Sequence, residues 1–139
     1  MPTTVVQTVK PDYWDTAVAH LMRRDRIMKK LIPKFPNISL VSRGNPFMTL
    51  ARSIVGQQIS VKAAESVWQR LLLECGKRPT PASIQKAGVE KLRAAGLSGR
   101  KAEYILDLST HFSEKLVHPK KWATMDDESV IAELTTIRG

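Results

Sequence analysis

The sequence predicts an all-α fold, a helical bundle, and three observations carry that prediction. Apolar residues recur at steps of three and four, as one face of a helix requires. Capping side chains and prolines open these stretches, and glycines close them. No segment alternates at period two over a useful length, and no internal repeat or low-complexity tract interrupts the pattern. The 139 residues suit a single helical domain, 1–139, with one core. A 42% hydrophobic and 25% charged composition is ordinary for a folded chain.

Pro11 sits where a first helical turn tolerates it, and Trp14, Val18, Leu21, Met28 and Leu31 continue the period until Pro33. This reads as one helix of about six turns. Pro36, Asn37, Ser39, Ser42 and Gly44 then make a surface loop. Asn45 caps a second helix with Pro46 at its first position, and Phe47, Leu50, Ala51, Ile54 and Val55 form its buried stripe up to a stop at Gly56. After a kink at Gln57-Gln58-Ile59, Ser60 caps a third helix bearing Val61, Ala64, Val67, Trp68, Leu71 and Leu72 on its apolar side. Two short helices follow, about Pro81 to Lys86 and Val89 to Ala95, closed by Gly96. Ser98 caps a longer one with Ala102, Ile105, Leu108 and Phe112 on its face. His118 to Met125 is a connector. Asp126, Asp127 and Glu128 start the last helix, where acids meet the positive end of the dipole, and Val130, Ile131 and Leu134 follow before Ile137-Arg138-Gly139.

Lysine and arginine total 22 against 13 aspartates and glutamates, for a net charge of +9 and a pI near 10.0. A polyanion such as nucleic acid is the simplest partner for that excess, because cations that displace phosphate counterions supply sequence-independent affinity. A membrane surface is disfavoured, since no long segment sets a Lys/Arg face against a Trp, Phe and Leu face. No run approaches the roughly 20 apolar residues of a membrane span. Met1 to Val6 has neither the charge nor the apolar stretch of a secretory signal. A lone Cys75 and three histidines, His20, His111 and His118, make neither a disulfide nor a recognisable metal cluster, so no metal is expected and a reducing compartment is the default.

Three segments in order resemble one family. Asn45-Pro46-Phe47-Met48-Thr49-Leu50-Ala51-Arg52-Ser53-Ile54-Val55-Gly56-Gln57-Gln58-Ile59-Ser60-Val61-Lys62-Ala63-Ala64 is similar to the signature region of DNA-3-methyladenine glycosylase II, of the helix-hairpin-helix base-excision glycosylases. Leu92 to Tyr104 resembles a second family segment, and Leu134-Thr135-Thr136-Ile137-Arg138-Gly139 resembles the entry to the hairpin. The resemblance implies a partial helix-hairpin-helix glycosylase fold and DNA repair by hydrolysis of the N-glycosidic bond of alkylated purines such as 3-methyladenine. It also implies that the second hairpin helix and the catalytic aspartate lie further on, so that no catalytic residue falls in this chain and the chain alone is inactive. No cofactor is implied beyond a monovalent cation at a complete hairpin. The expected partner is double-stranded DNA containing alkylated bases, in a bacterial cytoplasm at the nucleoid or in a eukaryotic nucleus.

A glycosylase must extrude its target nucleotide and fill the vacated stack. By resemblance Gln58 matches the wedge position with Gln57 beside it, and the tight turn Gly56 to Ser60 suits that task. As plain residues, the two glutamines are also acceptable polar linkers. Ser60 is a helix cap first and a phosphate neighbour second. Arg100 and Lys101 open another helix as cations that either meet phosphate or are simply solvated. Arg138 and Gly139 either bring backbone to phosphate at the hairpin or end a helix. Glu65, Glu103, Asp107 and Asp126 to Glu128 read as surface or capping acids, and the three tryptophans as packing residues. The alternative function is a noncatalytic small basic helical DNA-binding module. A chain ending inside the hairpin is also expected to leave apolar faces uncovered and to self-associate.

Overall fold

A computed structural model describes residues 10–139; the segment read for a secretory signal lies outside the described residues. Among the described residues the regular structure is helical, with no strand. The helices are α1 (Trp14–Arg24), α2 (Arg26–Leu31), α3 (Pro46–Gly56), α4 (Val61–Cys75), α5 (Pro81–Ala94), α6 (Gly99–Ser113) and α7 (Asp127–Leu134), with 3₁₀ turns at Ile32–Lys34 and Pro119–Thr124. None of them is long and apolar enough to cross a membrane. The chain divides into two compact units, Met1–Gly44 and Asn45–Gly139.

In the first unit the single long helix read from Pro11 onward is two helices. Asp25 is extended (φ −126°, ψ 120°), and its carboxylate accepts from the Ile27 and Met28 N–H groups at 2.7 and 2.9 Å. A short acidic side chain competes for nearby backbone donors, so it stops one helix and caps the next. The apolar period hides the break because Trp14, Val18, Leu31, Ile32 and Phe35 line one groove from both sides of it. Pro33 lies inside the 3₁₀ turn and does not stop the α-helix, which ends at Leu31. No described residue of this unit is buried.

The core lies in the second unit. Helix α6 packs on α3 and α5, and α4 packs on the same two, so the four close a ring. Ala102, Ile105 and Leu108 of α6 are fully buried, facing a cluster that includes Ala51, Val55, Leu71, Ile84 and Leu92. Phe47 and Phe112 meet edge to face, 5.3 Å between centroids. Ser109, also fully buried, donates its hydroxyl to the Ile105 carbonyl at 2.8 Å and leaves no unmet polar group.

Every α-helix except α1 starts at a side-chain cap. Asn45, Ser60, Ser98 and Asp126 accept from the N–H group three residues on, as read from sequence. Thr80 does the same within a reciprocal capping box with Ser83. Helix α5 is split at Gly88 (φ 70°, ψ 178°), which agrees with two short helices. It ends where the Gly96 N–H reaches the Arg93 carbonyl and the Leu97 N–H reaches that of Leu92. That is the Schellman closure, which places Gly96 in the left-handed region at φ 106°. Four residues placed on apolar helical faces are exposed. Leu21 and Leu31 lie in the first unit, where no described residue is buried. Val61, 88% exposed, is the first residue of α4, and its Cβ tilts past the end of the packed layer. Ile131 stands about 100° around α7 from the half-buried Val130.

Burial sets the stability ranking. Leu71→Ala should cost about 2–5 kcal/mol in urea unfolding. Leu73→Ala, two residues along α4 and 85% exposed, should stay within about 0.5 kcal/mol of wild type.

Candidate nucleic-acid interface

The turn between α3 and α4 is the first part of the site. Gly56 is the last helical residue, not the stop expected of it, and a Cβ built there would make only ordinary contact with Ala64 at 3.6 Å. The chain turns instead at Gln57, which is extended (φ −61°, ψ 134°), and at Gln58, which is left-handed at φ 60°. A non-glycine residue there costs roughly 1–2 kcal/mol, and such strain persists only where the surroundings over-determine it. Gln57, Gln58, Ile59 and Ser60 are all exposed, between a helix that packs into the core and one capped at its start by the Ser60 hydroxyl, 3.1 Å from the Ala63 N–H.

Lys101 departs from its reading as a solvated or phosphate-bound cation. Its ammonium reaches from α6 and donates to the carbonyls of Val55 at 2.8 Å and Gln57 at 2.6 Å. Helix α3 has no basic residue in its last turn. A cation from another helix therefore meets carbonyls that its own helix leaves open, at the negative end of the dipole. Arg100, one residue earlier, is exposed in the first turn of α6.

The end of the chain is held by α6 as well. The Arg138 N–H donates to Asp107 Oδ2 at 2.8 Å, and the same carboxylate lies 3.4 Å from His111 Nδ1. Gly139 (φ 115°) lies against Tyr104, where a Cβ would fall 2.7 Å from a ring carbon, so geometry and space both require glycine there. Gly139 is five residues beyond the end of α7 and is not its C-terminal glycine. A cavity of about 130 Å³ is lined by Leu50, Ile54, Gln57, Leu108, Arg138 and Gly139 among others. It brings together Gln57, Arg138 and Gly139 of the residues singled out in the sequence, while Gln58, Ser60 and Arg100 stand outside it.

Several acids have structural partners. Glu65 pairs with Arg52 at 2.5 Å and accepts from Gln69 at 2.8 Å, and the Arg52 guanidinium lies over the Trp68 ring at 5.6 Å. Asp126 caps α7, and the hydrogen bonds from Ser129 hold its pKa below the usual value. Glu133 accepts from Trp122 Nε1, from the His118 backbone N–H at 3.1 Å, and pairs with His118 Nδ1. These bonds, that from Trp122 foremost, lower its pKa to about 2 and tie the connector to α7. Cys75 is buried, and burial raises its thiol, with Glu74 adding to the effect. Among the described residues, Lys10 and Arg52 are the lysines and arginines paired with carboxylates, which leaves most of the positive excess uncompensated.

Asp107, Tyr104 and the tie made by Lys101 escaped the sequence reading. Asp107 and Arg138 are 31 positions apart and Lys101 and Gln57 are 44, and no local spacing encodes either contact.

Residues 51–138 match the model of the HhH-GPD superfamily base excision DNA repair proteins. The chain is 30% identical over 130 residues to DNA-3-methyladenine glycosylase 1 of Schizosaccharomyces pombe, an alignment covering 88% of this chain and 57% of that protein. A crystal structure of a Bacillus halodurans DNA-3-methyladenine glycosidase aligns with a TM-score of 0.73 at 30% identity, over 90% of this chain and 58% of that one. The S. pombe 3-methyladenine DNA glycosylase Mag1 in complex with abasic DNA aligns at 0.76 and 27% identity, over 88% and 63%. The chain thus spans a little over half the length of these relatives.

Glu133 sets an acid dependence. Its folded pKa of about 2 lies below the ordinary 4.5, so the folded state binds fewer protons between those values. Its contribution to stability is whole above 4.5 and is lost as pH falls toward about 2. Glu133→Gln should lower Tm at neutral pH and flatten its decline below about pH 5. Thermal melts in which variant and wild type decline in parallel would contradict this.

Proposed function

This chain belongs to the HhH-GPD superfamily of base excision DNA repair proteins, and from that premise we propose that it is the DNA-distorting part of a monofunctional DNA glycosylase. The whole protein would hydrolyse the N-glycosidic bond of alkylated purines such as 3-methyladenine in double-stranded DNA. The observation that carries this reading is Gln58, a strained, exposed side chain on a short turn between two packed helices. The abasic-DNA complex of the similar Mag1 supports DNA as the partner.

In this mechanism the duplex bends, the alkylated nucleotide swings out, and the Gln58 side chain enters the gap, where its amide offers both donor and acceptor to the widowed base. Uncompensated cations such as Arg100, with the amides that open α4 at Ser60 to Lys62, hold the flanking phosphates. Hydrolysis breaks the bond from the sugar to the base, the bond's electrons leave with the electron-poor base, and water adds to the sugar. A carboxylate must face the positive charge that develops. Glu65, Asp107, Asp126 and Glu133 are engaged elsewhere. The resemblance to the 3-methyladenine glycosylases implies that this carboxylate is an aspartate outside the segment, and we assign no excision to the chain alone. The apolar groove of the first unit, to which the exposed Leu31, Phe35 and Ile38 contribute, is what supports self-association of the isolated chain. Its place of action would be that of genomic DNA, the nucleoid of a bacterium or the nucleus of a eukaryote.

In the protein bearing this sequence, Gln58→Ala should slow single-turnover excision by about tenfold or more, a barrier change of ~1.4 kcal/mol. Gln58→Gly should slow it equally with Tm at or above wild type, since glycine relieves the left-handed strain. Unaltered excision in both variants would remove the plug role. The absence of any excision from alkylated duplex by the wild-type protein would remove the glycosylase reading.

A further inference from the structure

We propose that Lys101 is a positioning residue, whose ammonium aims Gln58 by pinning the peptide group that leads into it. The proposal rests on the plug reading and says what holds the plug. The Gln57 carbonyl belongs to the planar peptide group that continues into the Gln58 nitrogen, so fixing that oxygen fixes the orientation of the whole plane. The two torsions flanking the plane, ψ 134° at Gln57 and φ 60° at Gln58, are thereby held together. The second bond, to the Val55 carbonyl, anchors the same ammonium to the last turn of α3. Two points of attachment on one cation resist rotation of the turn where a single bond would act as a pivot.

The anchor itself is rigid. Lys101 lies in the first turn of α6, its own N–H is held by the Ser98 hydroxyl, and its neighbour Ala102 is fully buried. The turn, by contrast, has only local bonds of its own: the Gln57 N–H to Ile54, and the Ser60 oxygens to Ala63 and Ala64. Among the described residues, the bond from Lys101 to the Gln57 carbonyl is the one that ties residues 56–60 to α6, and its partner bond to Val55 fixes the same ammonium against α3. Without them the left-handed geometry at Gln58 can relax, and the side chain must be ordered anew each time it meets a duplex. Pre-organisation is what Lys101 contributes, and its absence acts on extrusion more than on encounter.

The test uses the chain as given and a duplex with 2-aminopurine beside a synthetic abasic site, whose fluorescence rises when the base unstacks. The wild type should raise it on saturation. Lys101→Met should bind within about twofold of wild type yet give less than about half the saturating rise, and Lys101→Arg, which keeps the charge and paired donors, should restore it. Lys101→Met placed on Gln58→Ala should add nothing, because both act through one element. A full rise with Lys101→Met overturns the proposal. So does weaker binding with an unchanged saturating rise and a salt slope lower by about 0.9, the signature of a lost phosphate contact. No rise with the wild type overturns the plug reading itself. Should Lys101→Met fail to fold, NMR of the wild type with ¹⁵N-labelled lysine decides: slowly exchanging Lys101 ammonium protons support the tie, and their absence rejects it.

Discussion

The interaction on which the structure depends is the burial of α6. Its stripe of Ala102, Ile105 and Leu108 is closed off from solvent by α3 and α5, and a packed interior tolerates neither sliding nor rotation of such a stripe. Everything on the flanks of α6 is consequently set in register with the rest of the second unit. Lys101 at one end reaches the turn after α3, and Tyr104 and Asp107 receive the segment after α7. One helix thus fixes both the turn that the proposed function directs toward DNA and the segment after α7.

Around that core, strain is local and positive charge is in excess. The left-handed Gln58 lies between the end of α3, which packs into the core, and the start of α4, which Ser60 caps. Most lysines and arginines remain solvated, while the acids Glu65, Asp107 and Glu133 are tied to Arg52, the Arg138 backbone and Trp122. The first unit has no such organisation: its apolar side chains line an open groove, and none of its described residues is buried.

Much of the fold was legible because its signals are local. Asn45, Ser60, Ser98 and Asp126 each act on an N–H three residues away, and the stripes of α3, α4 and α6 follow from the helical period alone. The exceptions share a cause, a local signal with two outcomes. Asp25 fits either a helix surface or a cap, and only the meeting of Trp14 with Leu31 and Phe35 across the groove selects the cap. Gly56 and Gln58 both lie where the helix can turn, and the tie from α6 accompanies the choice of glutamine over the residue better suited to left-handed geometry. Val61 is apolar, but its place at the start of α4 leaves it outside the packed layer.

The sequence by itself determined the helical class, most of the boundaries, the basic character and the motif that points to base excision repair. Each of these depends on residues within a few positions of one another, or on composition, and needs no knowledge of what lies opposite. Tertiary structure alone decided which charges are available and which are already engaged. Lys101 and Arg100 are adjacent cations in sequence, yet one lies within reach of two carbonyls and the other faces solvent. Asp107 and Glu103 lie on the same helix, and only Asp107 meets the Arg138 amide. The difference is a matter of a few ångströms across the bundle, which the packing of α6 sets and no local pattern records.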